Sequence, residues 1–121
     1  MNDVEIKLNT IGVVEKTNEV SIIKIYPEYV EGLTAIEEYE RIMVLFWMHL
    51  QDNPRDRSKL MTSRKRKGKP GHRGVFATHS PHRPNPIGIT VVELLKIEDD
   101  RLFVKGLDAY QDTPIIDIKS A

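Results

Sequence analysis

Residues 79–88 read HSPHRPNPIG and set five polar side chains on an unusually stiff backbone. Pro81, Pro84 and Pro86 fix their own φ angles. They also hold Ser80, Arg83 and Asn85, the residues before them, in extended conformations. The segment is thus rigid without a helix or a sheet ladder, and its carbonyls and side chains are left to face a ligand. Arg83 carries a fork of donors suited to a carboxylate or phosphate. Asn85 offers a donor and an acceptor, the complement of an adenine edge. Gly88 permits a bend or a close approach. The two histidines, His79 and His82, stand three apart with no acidic or thiol neighbour in the sequence, so no metal site is expected. These residues allow two readings. One is a preorganised site that loses little conformational entropy on binding. The other is a rigid corner between strands, with Arg83 paired to an acid and Asn85 capping its own turn.

A second feature lies just upstream. Residues 51–73 hold nine basic residues, namely Arg55, Arg57, Lys59, Arg64, Lys65, Arg66, Lys67, Lys69 and Arg73. Against them stand only Asp52 and Asp56, so the window is net +7 and the remainder of the neutral chain is net −7. A cluster such as Arg64, Lys65, Arg66, Lys67 and Lys69 attracts polyanions by releasing counterions. No aromatic residue interrupts it, so the expected contact is with phosphate, not with base faces. A solvated loop is the plain alternative.

The elements that must position these residues read mainly as strands. Residues 4–14 alternate and then turn apolar, residues 17–19 look like a turn, and residues 20–26 are β-branched. Pro27 ends that strand. Thr34 with Glu37 three residues later resembles a capping box, predicting a short helix near residues 35–39. Residues 41–50, RIMVLFWMHL, read as a strand buried on both faces or as a buried helix segment. Residues 74–79, 87–97, 102–107 and 115–118 complete about seven strands, with Asp99 and Asp100 as a hairpin turn. The polar run 51–73 is a long loop, and loops of that length are usually functional or disordered. The expected fold is all-β, mainly antiparallel: a small β-barrel with one short helix and a long basic loop.

Composition narrows the class. The 121 residues fit a single domain over residues 1–121 with one modest core. There is no cysteine, which excludes disulfides, thiolate metal sites and thiol catalysis. No apolar run approaches a membrane span, and the first ten residues lack a signal-peptide pattern, so a soluble cytoplasmic protein without a membrane partner is expected.

Residues 74–90, GVFATHSPHRPNPIGIT, closely resemble the signature GVFATRSPxRPNPIG of the TsaA-like, or TrmO, family. Two further blocks are similar to that family: residues 31–49, EGLTAIEEYERIMVLFWMH, and residues 106–121, GLDAYQDTPIIDIKSA. The resemblance covers essentially the whole chain in order. It implies an S-adenosylmethionine-dependent methyltransferase acting on the exocyclic amine of a modified adenosine beside the tRNA anticodon. It also implies a barrel that forms a homodimer, with the cofactor cleft near the interface. A non-catalytic RNA-binding module on the same scaffold, or a methyltransferase with another acceptor, are the alternatives.

The resemblance places cofactor binding at His49, His79, Arg83, Pro86, Ile89, Asp108, Thr113 and Pro114. Asn85 and Arg83 are the candidate catalytic residues, with a carbonyl of Asn85 or near Pro84 accepting from the amine; the proton then passes to water or to a weak base such as His82, and no residue is assigned as an essential base. RNA binding falls to Arg64, Lys65, Arg66, Lys67 and Lys69, with tRNA as partner. Three departures stand out. His79 occupies the place of an arginine and is mostly neutral near pH 7. Gln111 and Asp112 replace an Asp-Gly turn. Only a few residues separate Val14 from Val20, where longer members carry a cofactor-contacting insertion. Longer members also add a C-terminal tRNA-facing domain.

Overall fold

The computed structural model describes residues 3–62 and 72–121. Its main sheet is a closed barrel of six strands: β1 (Gly12–Lys16), β2 (Val20–Ile25), β3 (Arg41–Trp47), β6 (Ile87–Glu98), β7 (Arg101–Lys105) and β8 (Pro114–Ser120). Around the barrel the order is β1-β2-β7-β6-β3-β8. β1 runs antiparallel to β2 and β8, β7 to β2 and β6, and β3 to β8. Two further strands, β4 (Met61–Thr62) and β5 (Arg73–Gly74), form a separate antiparallel ribbon. The all-β barrel expected from the strand pattern is therefore the fold.

The chain divides into two compact units. The barrel unit runs up to Phe46 and resumes over Ile89–Ala121, and the loop unit is Trp47–Gly88. Alternation along the strands builds the barrel core. On β2, Ser21, Ile23 and Ile25 are buried, while on β3 Ile42, Val44 and Phe46 point inward. Val14, Val92, Leu102, Val104 and Ile115 complete the filling. Side chains of this kind are β-branched or bulky and pack well on a pleated surface.

Closure needs local irregularity. The register slips between Val14 and Lys16, between Leu45 and Phe46, and between Leu94 and Lys96. Such bulges bend strands and increase their twist. Gly12 sits where β1 meets both neighbours, opposite Ile25 and Ile115. A Cβ there would fall onto the carbonyl oxygen of Lys24. Asp99, at the β6–β7 turn, and Asp112, ahead of β8, both take left-handed φ, of 56° and 70°. Aspartate tolerates that region better than most residues, though less well than glycine.

Several local expectations are corrected. Residues 3–10 carry no strand and are exposed; β1 begins only at Gly12. Thr34 caps no helix start: its hydroxyl donates back to the Glu31 carbonyl at 2.7 Å, closing the 3-10 stretch Pro27–Leu33. Ala35 then takes φ of 70°, and only a three-residue 3-10 turn, Ile36–Glu38, follows. β3 ends at Trp47 and has one buried face, with Met43, Leu45 and Trp47 half-buried on the other. Residues 74–79 are mostly not a strand: β5 stops at Gly74 and Val75–Ala77 is a 3-10 turn. The one α-helix among the described residues, α1 (Pro54–Arg57), lies inside the segment expected to be a loop.

Candidate functional site: a proline turn clamped by a short helix

The loop unit is built around two segments, α1 and the proline turn. Asn53 caps α1, accepting from the backbone N–H of Asp56 at 2.8 Å. Pro54 follows at the first helical position, where its missing N–H is no loss. The turn itself is held by a relay of hydroxyls. Thr78 donates to the Val75 carbonyl and accepts from the Ser80 N–H, and Ser80 Oγ accepts from the His82 N–H. Ser80 is buried, so its two roles replace the ladder bonds that a strand would have supplied.

Arg83 reaches back into its own turn. Its Nη1 donates to the carbonyls of Thr78 at 2.9 Å and Ser80 at 3.2 Å. An anionic ligand would therefore meet Arg83 through Nε and Nη2. The guanidinium is first a staple of the loop that carries it.

Arg57, counted in the sequence only among nine basic residues, is the hub of the unit. It stacks over the Trp47 ring at 5.4 Å from the centroid. Its Nε donates to the Pro84 carbonyl at 2.8 Å, its Nη2 to Asn85 Oδ1 at 3.3 Å, and its Nη1 to Asp52 at 2.9 Å. Trp47 Nε1 donates to the other oxygen of Asp52. These donors, Trp47 first and Arg57 second, hold the Asp52 carboxyl below its ordinary pKa. Arginine has no acceptor, so the amide oxygen of Asn85 must face it, and the exposed Asn85 presents its NH2 outward. Both carbonyls expected to face the acceptor amine, on Asn85 and Pro84, already accept from Arg57.

Within the loop unit, Met48 is tied to the same turn. Met48 N–H donates to the Pro86 carbonyl at 2.7 Å, and Pro86 is buried. Next to Met48, His49 opens the 3-10 turn His49–Gln51. Its Nδ1 is buried and has no hydrogen-bond partner among the described residues. A buried unpaired ring nitrogen is costly unless a ligand or water satisfies it. His79 is exposed.

His49, His79, Arg83, Asn85 and Pro86 thus all belong to the loop unit. Ile89, Asp108, Thr113 and Pro114 belong to the barrel unit. Ile89 is partly exposed on β6 and Asp108 is exposed. Thr113 is buried, and its backbone joins Val14 and Tyr110 near the start of β8, while Pro114 pairs with Val13. Arg64, Lys65, Arg66, Lys67 and Lys69 lie outside the described residues. Arg57 is the residue the sequence reading missed. No spacing rule links it to a turn 27 residues away.

With this geometry in hand, similarity to known proteins bears on it. The tRNA-methyltransferase O N-terminal domain matches residues 11–120. A relative named "Probable S-adenosyl-L-methionine-binding protein" from Methanocaldococcus jannaschii is 43% identical over 112 residues, covering 93% of this chain and 89% of that protein. The tRNA (adenine(37)-N6)-methyltransferase of Mus musculus is 37% identical over 93 residues, or 77% of this chain and 20% of the mouse protein. The crystal structure of TrmO from Pseudomonas aeruginosa superposes with a TM-score of 0.73 at 27% identity, covering 98% of this chain and 56% of that one. The chain therefore spans little more than half of the solved structure. By the extent of the domain match and the identity to its relatives, the chain belongs to the tRNA-methyltransferase O N-terminal domain family.

Proposed function

We propose that the protein transfers a methyl group from S-adenosylmethionine to the exocyclic amine of an adenosine beside the tRNA anticodon. The observation that carries this reading is the proline turn, clamped by Arg57 and by Met48, with Asn85 outward and the His49 ring nitrogen buried without a partner. The names of the relatives support it, since one is a tRNA (adenine(37)-N6)-methyltransferase and another a probable S-adenosyl-L-methionine-binding protein.

The residues present fit the cofactor at His49. Its Nδ1 lacks a partner among the described residues, and a polar group of the ligand would supply one. His49, Pro86 and Arg83, through Nε and Nη2, are the loop-unit residues proposed to hold it, together with His79. Ile89, Asp108, Thr113 and Pro114 are proposed as cofactor contacts on the family resemblance alone. The cofactor contributes a methyl group on a sulfonium, already a good leaving group. The chain's task is then alignment, and orientation of reactants supplies roughly 7–11 kcal/mol in favourable cases. The rigid turn suits that task. Asn85 donates from its NH2 to a ring nitrogen of the adenine, because its oxygen is held by Arg57. Asn85 and Arg83 are the proposed catalytic residues. Arg64, Lys65, Arg66, Lys67 and Lys69 are proposed to grip tRNA phosphates.

A homodimer with its cofactor cleft near the interface is part of the proposal. β6 turns a row of apolar side chains outward, Ile87, Ile89, Val91 and Leu95, each between 39% and 49% exposed. A two-fold contact would cover them. A cytoplasmic setting accords with a tRNA substrate and a cysteine-free chain. The second reading, an RNA-binding module without catalysis, is favoured by one observation: exposed His79 stands where the related signature has arginine. Titration of S-adenosylmethionine into the purified protein by calorimetry separates the two. Saturable binding, abolished by His49→Ala, supports the methyltransferase. Absence of binding at millimolar ligand contradicts it.

A further inference from the structure

A histidine–aspartate pair stands at the edge of the same turn. His82 Nδ1 lies 2.9 Å from Asp56 Oδ1, bridging the proline turn and α1 across 26 residues. The carboxylate is fixed before the histidine reaches it. Asn53 Nδ2 donates to Asp56 Oδ2 at 2.9 Å, while Asn53 Oδ1 accepts from the Asp56 N–H. The Asp56 side chain is largely buried, at 17% exposed, whereas His82 is half exposed. Asn53 first, then His82 and Arg55, hold the Asp56 carboxyl below its ordinary pKa, so it is an anion at neutral pH.

An acceptor-only carboxylate on Nδ1 requires the proton there. The neutral imidazole is then locked as the Nδ1–H tautomer, and the lone pair of Nε2 is left on the half-exposed side of the ring. That arrangement orients a histidine to receive a proton and stabilises the imidazolium it becomes. The backbone supports the same orientation, since the His82 N–H is anchored on Ser80 Oγ. A simple latch between two loops would not need a partly buried carboxylate already held by Asn53 at its root; one exposed ion pair contributes little to stability.

We propose that His82, oriented by Asp56, is the proton acceptor of the methyl transfer. The inference rests on the methyltransferase reading above. In the step, the lone pair of the adenosine amine forms the new N–C bond. The C–S bond breaks, and its electron pair stays on sulfur, which becomes a neutral thioether. The nitrogen, now positively charged, passes one N–H proton to His82 Nε2, and the imidazolium later yields it to water. His82 touches the reacting group and is the catalytic residue of the pair; Asp56 is its positioning residue. The other charged side chains on the two segments are Arg55 and Arg57 on α1 and Arg83 in the turn.

Two measurements on the full chain test this. Nitrogen-15 NMR of the imidazoles reads the pair without any substrate. The expected result is an Nδ1–H tautomer for His82 that is no longer enforced in Asp56→Asn while the fold persists. An Nε2–H tautomer, or a tautomer balance indifferent to Asp56→Asn, overturns the proposal. The second measurement is the pH profile of methylation with S-adenosylmethionine and unmethylated tRNA. Wild type is expected to rise through the imidazole range and level off. His82→Gln is expected to lose that limb and fall by about 10²-fold in kcat, with cofactor affinity unchanged. Asp56→Asn is expected to shift the limb. An unchanged profile in His82→Gln, beside an active wild type, overturns the dyad alone. An inactive wild type that still shows the tautomer contradicts the methyltransferase reading, and the proton-acceptor role with it.

Discussion

At the scale of single residues, the site depends on side chains that hold other side chains. Arg57 makes three hydrogen bonds and a ring contact within its unit, so Arg57→Ala is expected to destabilise the protein by about 1–3 kcal/mol, measured by urea unfolding. Arg57→Lys would restore little, because an ammonium cannot span Asp52, Pro84 and Asn85 with a planar fork. Asp52 gives a pH-dependent signature. Its carboxyl is held below its ordinary value by Trp47 and Arg57, so its contribution is present above the normal carboxylate range and is lost as pH falls through the folded value. Trp47 is the chain's one tryptophan, and its fluorescence should therefore change in acid with a midpoint below that of a free aspartate. The change should vanish in Asp52→Asn. The polar inventory of the turn was legible in the sequence: prolines, His79, His82, Arg83 and Asn85 could be read directly. Their partners could not. Arg83's carbonyls lie within five residues, but Arg57 and Asp56 are more than twenty-five away, and no local rule joins them.

At the scale of elements, the strands of the barrel followed from alternation and β-branching, and β6, β7 and β8 fall within a few residues of the expected bounds. The failures have physical causes. Thr34 and Glu37 fit a capping pattern, yet Thr34 serves the turn behind it, a competing bond that hydroxyl residues commonly make. α1 carried its own signals, Asn53 before Pro54 with Asp56 three residues after the cap. A four-residue helix has no hydrophobic period to announce it. The apolar run of β3 suggested burial on both faces, but Met43, Leu45 and Trp47 are only half covered. A glycine in a strand can mark a close approach, but nothing local says that Gly12 meets the Lys24 carbonyl. Gly12→Ala must push the β1 and β2 backbones apart at the barrel seam. The expected loss is about 1–3 kcal/mol, seen as a lowered Tm, while Gly32→Ala, where nothing lies near, should be nearly silent.

At the scale of the molecule, a neutral total conceals opposite charges on different stretches of chain. Residues 51–73 are net +7 and the remainder is net −7. tRNA binding should accordingly be steeply salt dependent. Replacing Arg64, Lys65, Arg66 and Lys67 with glutamine should weaken it and reduce the slope of log affinity against log salt by about 3. An unchanged slope would remove the basic stretch from the interface. The barrel and the family were both legible in three blocks of sequence, because core alternation and the proline signature are local. What the residues of the turn do for one another became visible only in three dimensions. The central claim is methylation of an adenosine amine, and its most direct measurement is mass spectrometry. Unmethylated tRNA would be incubated with the purified protein and S-adenosylmethionine, then digested to nucleosides. The account predicts a single added methyl group on the modified adenosine beside the anticodon, formed about 10²-fold more slowly in His82→Gln. An unchanged nucleoside, with cofactor and tRNA both bound, would contradict it.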